Sequence, residues 1–206
     1  MEHAFDDNGV RGVLHLPDNR TGDGLALTHG AGSDCNTPLL VGLARAFAEA
    51  GLVVLRYNLP FRMERPSGSP FPAGAKRDRE GVKAAVAAVE KYAPARVFAG
   101  GHSYGGRQTA MAAAETPEMA AGLLLLSYPL HPPRRPEQLR TVFFPELRTP
   151  TLFVHGTRDP FATIEELERE IRQIPAPTQI LTVEKSGHDL KPALAQAGVI
   201  LSRMLS

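Results

Sequence analysis

A hydroxyl becomes a nucleophile when a neighbouring imidazole takes its proton, and the imidazole needs a carboxylate to hold its tautomer and stabilise its cation. The residues that could form such a set begin with Gly101-His102-Ser103-Tyr104-Gly105, which follows an apolar run ending at Gly100 and opens an alanine-rich helical stretch. A strand, a sharp turn and a helix in that order lift a serine hydroxyl above the edge of a sheet. Glycines at the first and last positions spare the tight turn two Cβ collisions. The five-residue pattern alone arises often by chance, and the strand before it and helix after it are what make it specific.

Where a serine rides on such an elbow, its partners follow in the order acid, then histidine. Asp159 is the only aspartate between Ser103 and His188, and His188 is the only histidine beyond Asp159. Asp159 lies in His155-Gly156-Thr157-Arg158-Asp159-Pro160 and His188 in Ser186-Gly187-His188-Asp189, each just past a strand pattern. Ser103, Asp159 and His188 are therefore the expected catalytic set. Asp189 competes for the role of acid, but a side chain rarely reaches its own neighbour's ring nitrogen in good geometry, and capping the last helix suits it better. His29, His102, His131 and His155 precede the acid or the base and are read as structural or wall residues. Cys35 has no base placed for it and reads as a small buried side chain.

Acyl transfer also needs donors for the oxyanion, usually backbone amides. Thr28-His29-Gly30-Ala31-Gly32-Ser33 follows an early apolar strand, and its small residues let the backbone approach a substrate closely. The amides of Ala31 and Tyr104 are the expected donors. Arg56, Arg62, Arg107, Arg134 and Arg135 lie near strand ends and are candidate ligands for an anionic substrate group, with ordinary surface roles as the alternative.

These residues need elements to carry them. Strands are predicted at Val10 to Leu16, Leu25 to Thr28, Leu52 to Tyr57, Arg96 to Gly100, Gly122 to Ser127, Thr151 to His155 and Gln179 to Glu184, the first pairing antiparallel at an edge. Helices are predicted at Thr37 to Ala50, Lys76 to Lys91, Tyr104 to Glu115, Ile164 to Ile174 and Pro192 to Leu205. The alternation specifies a mainly parallel sheet of about seven strands flanked by helices. Two Pro-rich segments, Asn58 to Ala75 and Tyr128 to Pro150, follow strand ends, where open α/β sheets bind ligands. The second is too short and Pro-rich for a helical cap. Its Tyr128, Leu130, Phe143 and Phe144 are candidate apolar walls of an open site, with core packing the alternative for the two Phe.

The chain has 206 residues, 43% hydrophobic and 22% charged, which fits a single globular domain over 1–206. With 23 basic and 22 acidic side chains and a net charge of +1, no basic stripe marks a nucleic-acid surface. One cysteine and no zinc-type spacing point to a reducing compartment with no metal and no cofactor. No signal peptide and no run of about 20 apolar residues is seen, so the expected setting is cytoplasmic, without membrane contact. The preference for Arg, Ala and Pro over Lys fits a bacterial genome rich in GC.

Taken with His29-Gly30-Ala31-Gly32, the runs Arg56-Tyr57-Asn58-Leu59-Pro60-Phe61, Gly100 to Arg107, Ser127 to Pro133 and Thr151 to Phe161 carry a resemblance. The whole chain resembles the α/β-hydrolase-like proteins grouped with a testis-expressed mammalian protein and a regulatory subunit of the NSL histone acetyltransferase complex. That group more often has Arg before and Met after the serine, where His102 and Tyr104 stand here. The chain is also similar to dienelactone-hydrolase-like esterases, whose usual nucleophile is Cys. The resemblance implies an α/β-hydrolase fold, and the short Tyr128 to Pro150 segment implies that it has no cap domain. The expected activity is a serine hydrolase acting on a small-molecule carboxylic ester or thioester through an acyl-enzyme. The alternatives are a non-catalytic interaction module, or a peptidase or lyase on the same fold.

Overall fold

Strands that are apolar throughout satisfy their backbones by pairing side by side and bury their side chains under helices on both faces. The computed structural model describes residues 1–206 and has this plan. Its sheet comprises β1 (Glu2–Asp7), β2 (Val10–His15), β3 (Asp23–Thr28), β4 (Val53–Asn58), β5 (Arg96–His102), β6 (Leu123–Leu126), β7 (Thr151–Gly156) and β8 (Thr178–Val183), in the spatial order β1-β2-β4-β3-β5-β6-β7-β8. β2 pairs antiparallel with both β1 and β4, and every other pairing is parallel. The expected mainly parallel sheet is present, with eight strands rather than about seven. The additional one is β1, so the strand predicted at Val10 is not the edge. Asn8 (φ 48°) and Gly9 (φ 78°) join β1 to β2 in a two-residue turn with Asp7 opposite Val10, a backbone shape that Asn-Gly favours because both residues tolerate positive φ.

Alternate residues of the central strands face opposite layers. Leu25, Leu27, Leu124 and Leu126 pack with α1 (Pro38–Glu49) and the C-terminal helix, whereas Ala26, Leu55, Leu123 and Leu125 pack on the other side. That second layer is built from α3 (Ala75–Glu90), α4 (Tyr104–Glu115) and α5 (Ile164–Glu170). A short α2 (Pro60–Glu64) interrupts the first Pro-rich segment, and α6 (Ala197–Leu205) closes the chain.

Two predicted helices are shorter than their apolar periodicity suggested. The one beginning at Ile164 is α-helical only to Glu170 and continues as a 3₁₀ turn over Ile171–Gln173, although its start carries a reciprocal cap between Thr163 and Glu166. The last begins as a 3₁₀ turn, Lys191–Gln196, before α6. The segment from Tyr128 to Pro150 contains one 3₁₀ turn, Phe144–Glu146, and no cap. It folds back on itself, the Tyr128 hydroxyl donating to the Arg140 carbonyl at 2.7 Å and the Arg140 amide to the Leu130 carbonyl at 2.8 Å. No helix is long and apolar enough to cross a membrane.

Candidate active site

The turn from β5 into α4 holds Ser103 at φ 52° and ψ −117°, a conformation L-residues avoid. Close packing over-determines it. A Cβ on Gly101 would lie 2.6 Å from the Gly105 carbonyl carbon, and one on Gly105 would lie 2.4 Å from the His29 carbonyl oxygen. Glycine at both positions lets α4 start against the strand and the β3 loop, which leaves the Ser103 hydroxyl at the carboxyl edge of the sheet.

The two loops expected to supply its partners follow β7 and β8, and they meet there. His188 Nε2 is 2.8 Å from Ser103 Oγ, and His188 Nδ1 is 2.8 Å from Asp159 Oδ2. A carboxylate accepts only, so Nδ1 carries the proton and Nε2 is free to accept from the serine. The Asp159 carboxylate also accepts the Phe161 amide at 2.9 Å. Burial alone would push the Asp159 carboxyl up. The hydrogen bond and charge of His188, the nearby His155 and the Phe161 amide outweigh it and hold the group below the ordinary carboxylate range.

Asp189 stays out of this set. It is exposed and pairs with Lys191 at 3.2 Å, and its carboxylate faces the Lys191 amide at 3.5 Å, at the entry to the 3₁₀ turn. Three other histidines, His29, His102 and His155, hold backbone. His102 Nε2 donates to the His188 carbonyl at 2.7 Å and so fixes the backbone of the candidate base. His29 accepts the Leu59 amide at 3.1 Å, with burial lowering its pKa to about 4. His155 donates to the Ala162 carbonyl at 3.1 Å, steadying the turn that carries Asp159. His131 lies 3.3 Å from Glu166. The Cys35 thiol is buried, and burial raises its pKa, away from the thiolate a nucleophile requires.

Both expected oxyanion donors border Ser103. The first backbone bond of α4 runs from the Arg107 amide to the Ser103 carbonyl at 2.9 Å, so the Tyr104 amide has no acceptor within the helix. Ala31 lies beside Ser103 in the same cleft. A Cβ on Gly30 would come within 3.2 Å of His102 and 3.4 Å of Ser103, so glycine there permits the close approach of this loop.

Two buried side chains that local pattern does not mark bond to the residues whose amides are the expected donors. Arg62, read as a candidate anion ligand, instead spends its guanidinium on carbonyls of Ala31 (2.9 Å), Ser33 (2.9 Å), Arg65 (3.2 Å) and Gly68 (3.0 Å). Asp78, on α3, accepts the Phe61 amide at 3.0 Å and the Tyr104 hydroxyl at 2.7 Å. It therefore ties the helix bearing Arg62 to the residue after Ser103. Arg56 is likewise committed, bonding to His15, to the Cys35 carbonyl and to Asn36, and Arg134 and Arg135 are exposed.

The cleft beside Ser103 has a volume of about 510 Å³. Its apolar wall is Phe71, Met111, Pro129 and Phe161. Three of the residues expected there, Tyr128, Leu130 and Phe144, are instead fully buried in the core, and Phe143 packs against that core. Side chains just past β6 turn inward under the loop, which leaves Pro129 at the surface of the cleft. A separate depression of about 420 Å³ around Glu2, His15 and Arg45 holds no nucleophile, and its Arg45 is engaged by Glu2 at 2.6 Å. No group of three or more His, Cys, Asp and Glu side chains is arranged to hold a metal ion.

A mainly parallel sheet with a serine elbow after β5 and partner loops after β7 and β8 defines the α/β-hydrolase fold. Residues 22–202 match the alpha/beta hydrolase domain family, and the chain belongs to it. Among solved structures it is similar to a Thermus thermophilus protein, at 20% identity over 100% of this chain and 98% of that one, with a TM-score of 0.78. It is similar to the dienelactone hydrolase of Anabaena variabilis at 22% identity over 98% and 95%, TM-score 0.76. A Xanthomonas campestris α/β serine hydrolase without lid matches at 16% identity over 100% and 93%, TM-score 0.76. These likenesses establish the fold.

Proposed function

We propose that this protein is a serine hydrolase that cleaves a carboxylic ester or thioester through an acyl-enzyme. The observation that carries the reading is the unbroken relay from Ser103 Oγ through His188 to Asp159, with 2.8 Å at each step. His188 Nε2 takes the serine proton as Oγ attacks the carbonyl carbon. The amides of Ala31 and Tyr104 receive the charge on the carbonyl oxygen. His188 then returns the proton to the leaving alkoxide or thiolate, and water repeats the cycle to release the acid. Asp159 keeps Nδ1 protonated throughout and stabilises the imidazolium.

The other readings are an interaction module, a peptidase and a lyase. The first follows from the resemblance to the group that includes the NSL-complex subunit, a narrower placement that rests on the quoted motifs. The relay favours catalysis, because a binding module has no need of a serine held in a disfavoured conformation. A fluorophosphonate probe separates the two, since a catalytic serine is labelled at Ser103 and labelling is lost on heat denaturation. The open cleft also leads us to expect p-nitrophenyl acetate or butyrate to be hydrolysed with higher kcat/KM than long-chain esters, each unburied methylene forgoing up to ~0.8 kcal/mol. Absence of labelling in folded protein, or a maximum at twelve carbons or more, contradicts this account.

The carbonyl clamp made by Arg62 predicts a second effect. Arg62→Met keeps the apolar stem but frees the Ala31 carbonyl, so the neighbouring amide loses its fixed aim. We expect kcat for p-nitrophenyl butyrate to fall about 10- to 100-fold, somewhat below the loss on deleting an oxyanion donor outright. The measurement is kcat at a temperature where circular dichroism shows the variant folded. An unchanged kcat breaks the link between Arg62 and the oxyanion site.

A further inference from the structure

The cleft at Ser103 carries positive charge that the acyl-transfer steps do not use. One face of α4 lines it, with Tyr104, Arg107, Gln108 and Met111 at the i, i+3, i+4, i+7 spacing of a helix surface. Arg140 faces the same space from the loop after β6. Some arginines of this chain find acids, Arg45, Arg77, Arg79 and Arg96 each reaching a carboxylate, and the buried Arg62 fills its guanidinium with carbonyls. Neither Arg107 nor Arg140 reaches a carboxylate, and the residues lining the cleft include no Asp or Glu. The Arg140 guanidinium has only a 3.4 Å contact with the Pro129 carbonyl. Arg107 and Arg140 face the same cleft, and burial and then the positive charge of Arg107 depress the Arg140 pKa.

A second observation is independent of charge. Gln108 is 1% exposed, and neither its amide nitrogen nor its amide oxygen has a partner in the protein. The Arg107 Nε is buried and unbonded as well. Buried polar groups are bonded in the great majority of cases, so adjacent unpaired donors on one cleft wall call for a ligand. The donor set is two guanidiniums and one primary amide. A carboxylate suits it, because it accepts paired N–H groups from a guanidinium in one plane and neutralises the repulsion between the arginines.

We propose that the substrate is a carboxylate-bearing ester or thioester, its free carboxylate held by Arg107, Arg140 and Gln108 while Ser103 attacks the carbonyl. This assignment rests on the serine-hydrolase reading for its chemistry but not for its binding. The carboxylate can belong to the acyl part, as in a half-ester of a dicarboxylic acid, or to the leaving group, and matched substrates tell these apart. Mono-p-nitrophenyl glutarate is compared with p-nitrophenyl valerate for the acyl side, and 4-acetoxybenzoate with its methyl ester for the leaving side. In one of the two pairs kcat/KM for the anion should exceed that for the neutral partner by about 10- to 100-fold, the scale of hydrogen bonds to charged groups. Arg140→Met and Arg107→Met should each shrink that ratio toward unity, and Arg140→Lys should restore part of it. In parallel, monoethyl glutarate is titrated into Ser103→Ala protein by calorimetry, with and without Arg140→Met. Arg140-dependent binding without turnover of any ester would keep the anion site and overturn the hydrolase reading. Ester turnover with the neutral partner favoured in both pairs, or a preference untouched by both Met variants, would overturn the anion site and leave the hydrolase. Absence of preference in the parent enzyme together with absence of half-ester binding to folded Ser103→Ala protein, both retaining Arg107 and Arg140, also overturns the anion site.

Discussion

Ser103→Ala lowers kcat/KM for short-chain esters by about 10⁴- to 10⁶-fold and abolishes the fluorophosphonate adduct, on the scale by which removing a triad serine disables such an enzyme. The loss is large because Ser103 supplies the attacking atom, and His188 and Asp159 have nothing else to activate. The fold should survive, since the Ser103 side chain is only partly buried and its hydrogen bond is to His188. The backbone carries a second consequence. At φ 52° and ψ −117° an L-residue is strained, typically by about 1–3 kcal/mol, and glycine is not. Ser103→Gly should therefore be as inactive as the alanine variant yet melt at a higher temperature than both it and the parent. Intact-protein mass spectrometry after labelling, ester kinetics and thermal melts read all three properties. Turnover within tenfold of the parent in the alanine variant would remove Ser103 from its assigned role.

The parts of this site that were legible in the sequence are those whose geometry is set by chain order and local pattern. The strand, Gly-X-Ser-X-Gly turn and helix around Ser103 are continuous in sequence. Asp159 and His188 were singled out by being the only residues of their type in the permitted interval. Strands buried on both faces, such as Leu123–Leu126, announce themselves as unbroken apolar runs. β1 was missed because Glu2–Asp7 is largely exposed at the sheet edge and carries three acids, although Asn8-Gly9 between two strand-like stretches was a usable hairpin signal. The contacts of Arg62 and Asp78 were not legible. Each depends on a partner 26 to 31 residues away through a loop, and no local pattern distinguishes an arginine that clamps carbonyls from one that faces water. The unpaired state of Gln108 is a property of packing alone.

Asp159→Asn should lower kcat by about 10⁴-fold with little change in structure, and its cause is the tautomer of His188. The carboxylate accepts the Nδ1 proton at 2.8 Å and leaves Nε2 bare toward Ser103. An asparagine turned to offer its NH₂ group at that position stabilises the opposite tautomer, with the proton on Nε2 and no acceptor for the serine hydroxyl, and a loss near 10⁴ is what that error costs elsewhere. Asp189→Asn is the control: its carboxylate is exposed and engaged with Lys191, so its rate should stay within about threefold of the parent, where surface changes usually leave it. The same substitution at 159 changes stability with pH, and the sign follows from the native carboxyl being held below its ordinary range. A depressed native pKa means the unfolded chain binds the proton more readily. The stabilisation is thus present above the unfolded value, about 3.9, and is lost as pH falls through the lower native value. Asp159→Asn removes that acid-sensitive part, so its unfolding free energy should decline less steeply than the parent's between about pH 5 and pH 2. Urea titrations at several pH values measure the slope, and kinetics on the same preparations measure the rate. If Asp189→Asn is the slower enzyme, or if Asp159→Asn leaves both the rate and the acid slope unchanged, the carboxylate that orients His188 is not Asp159.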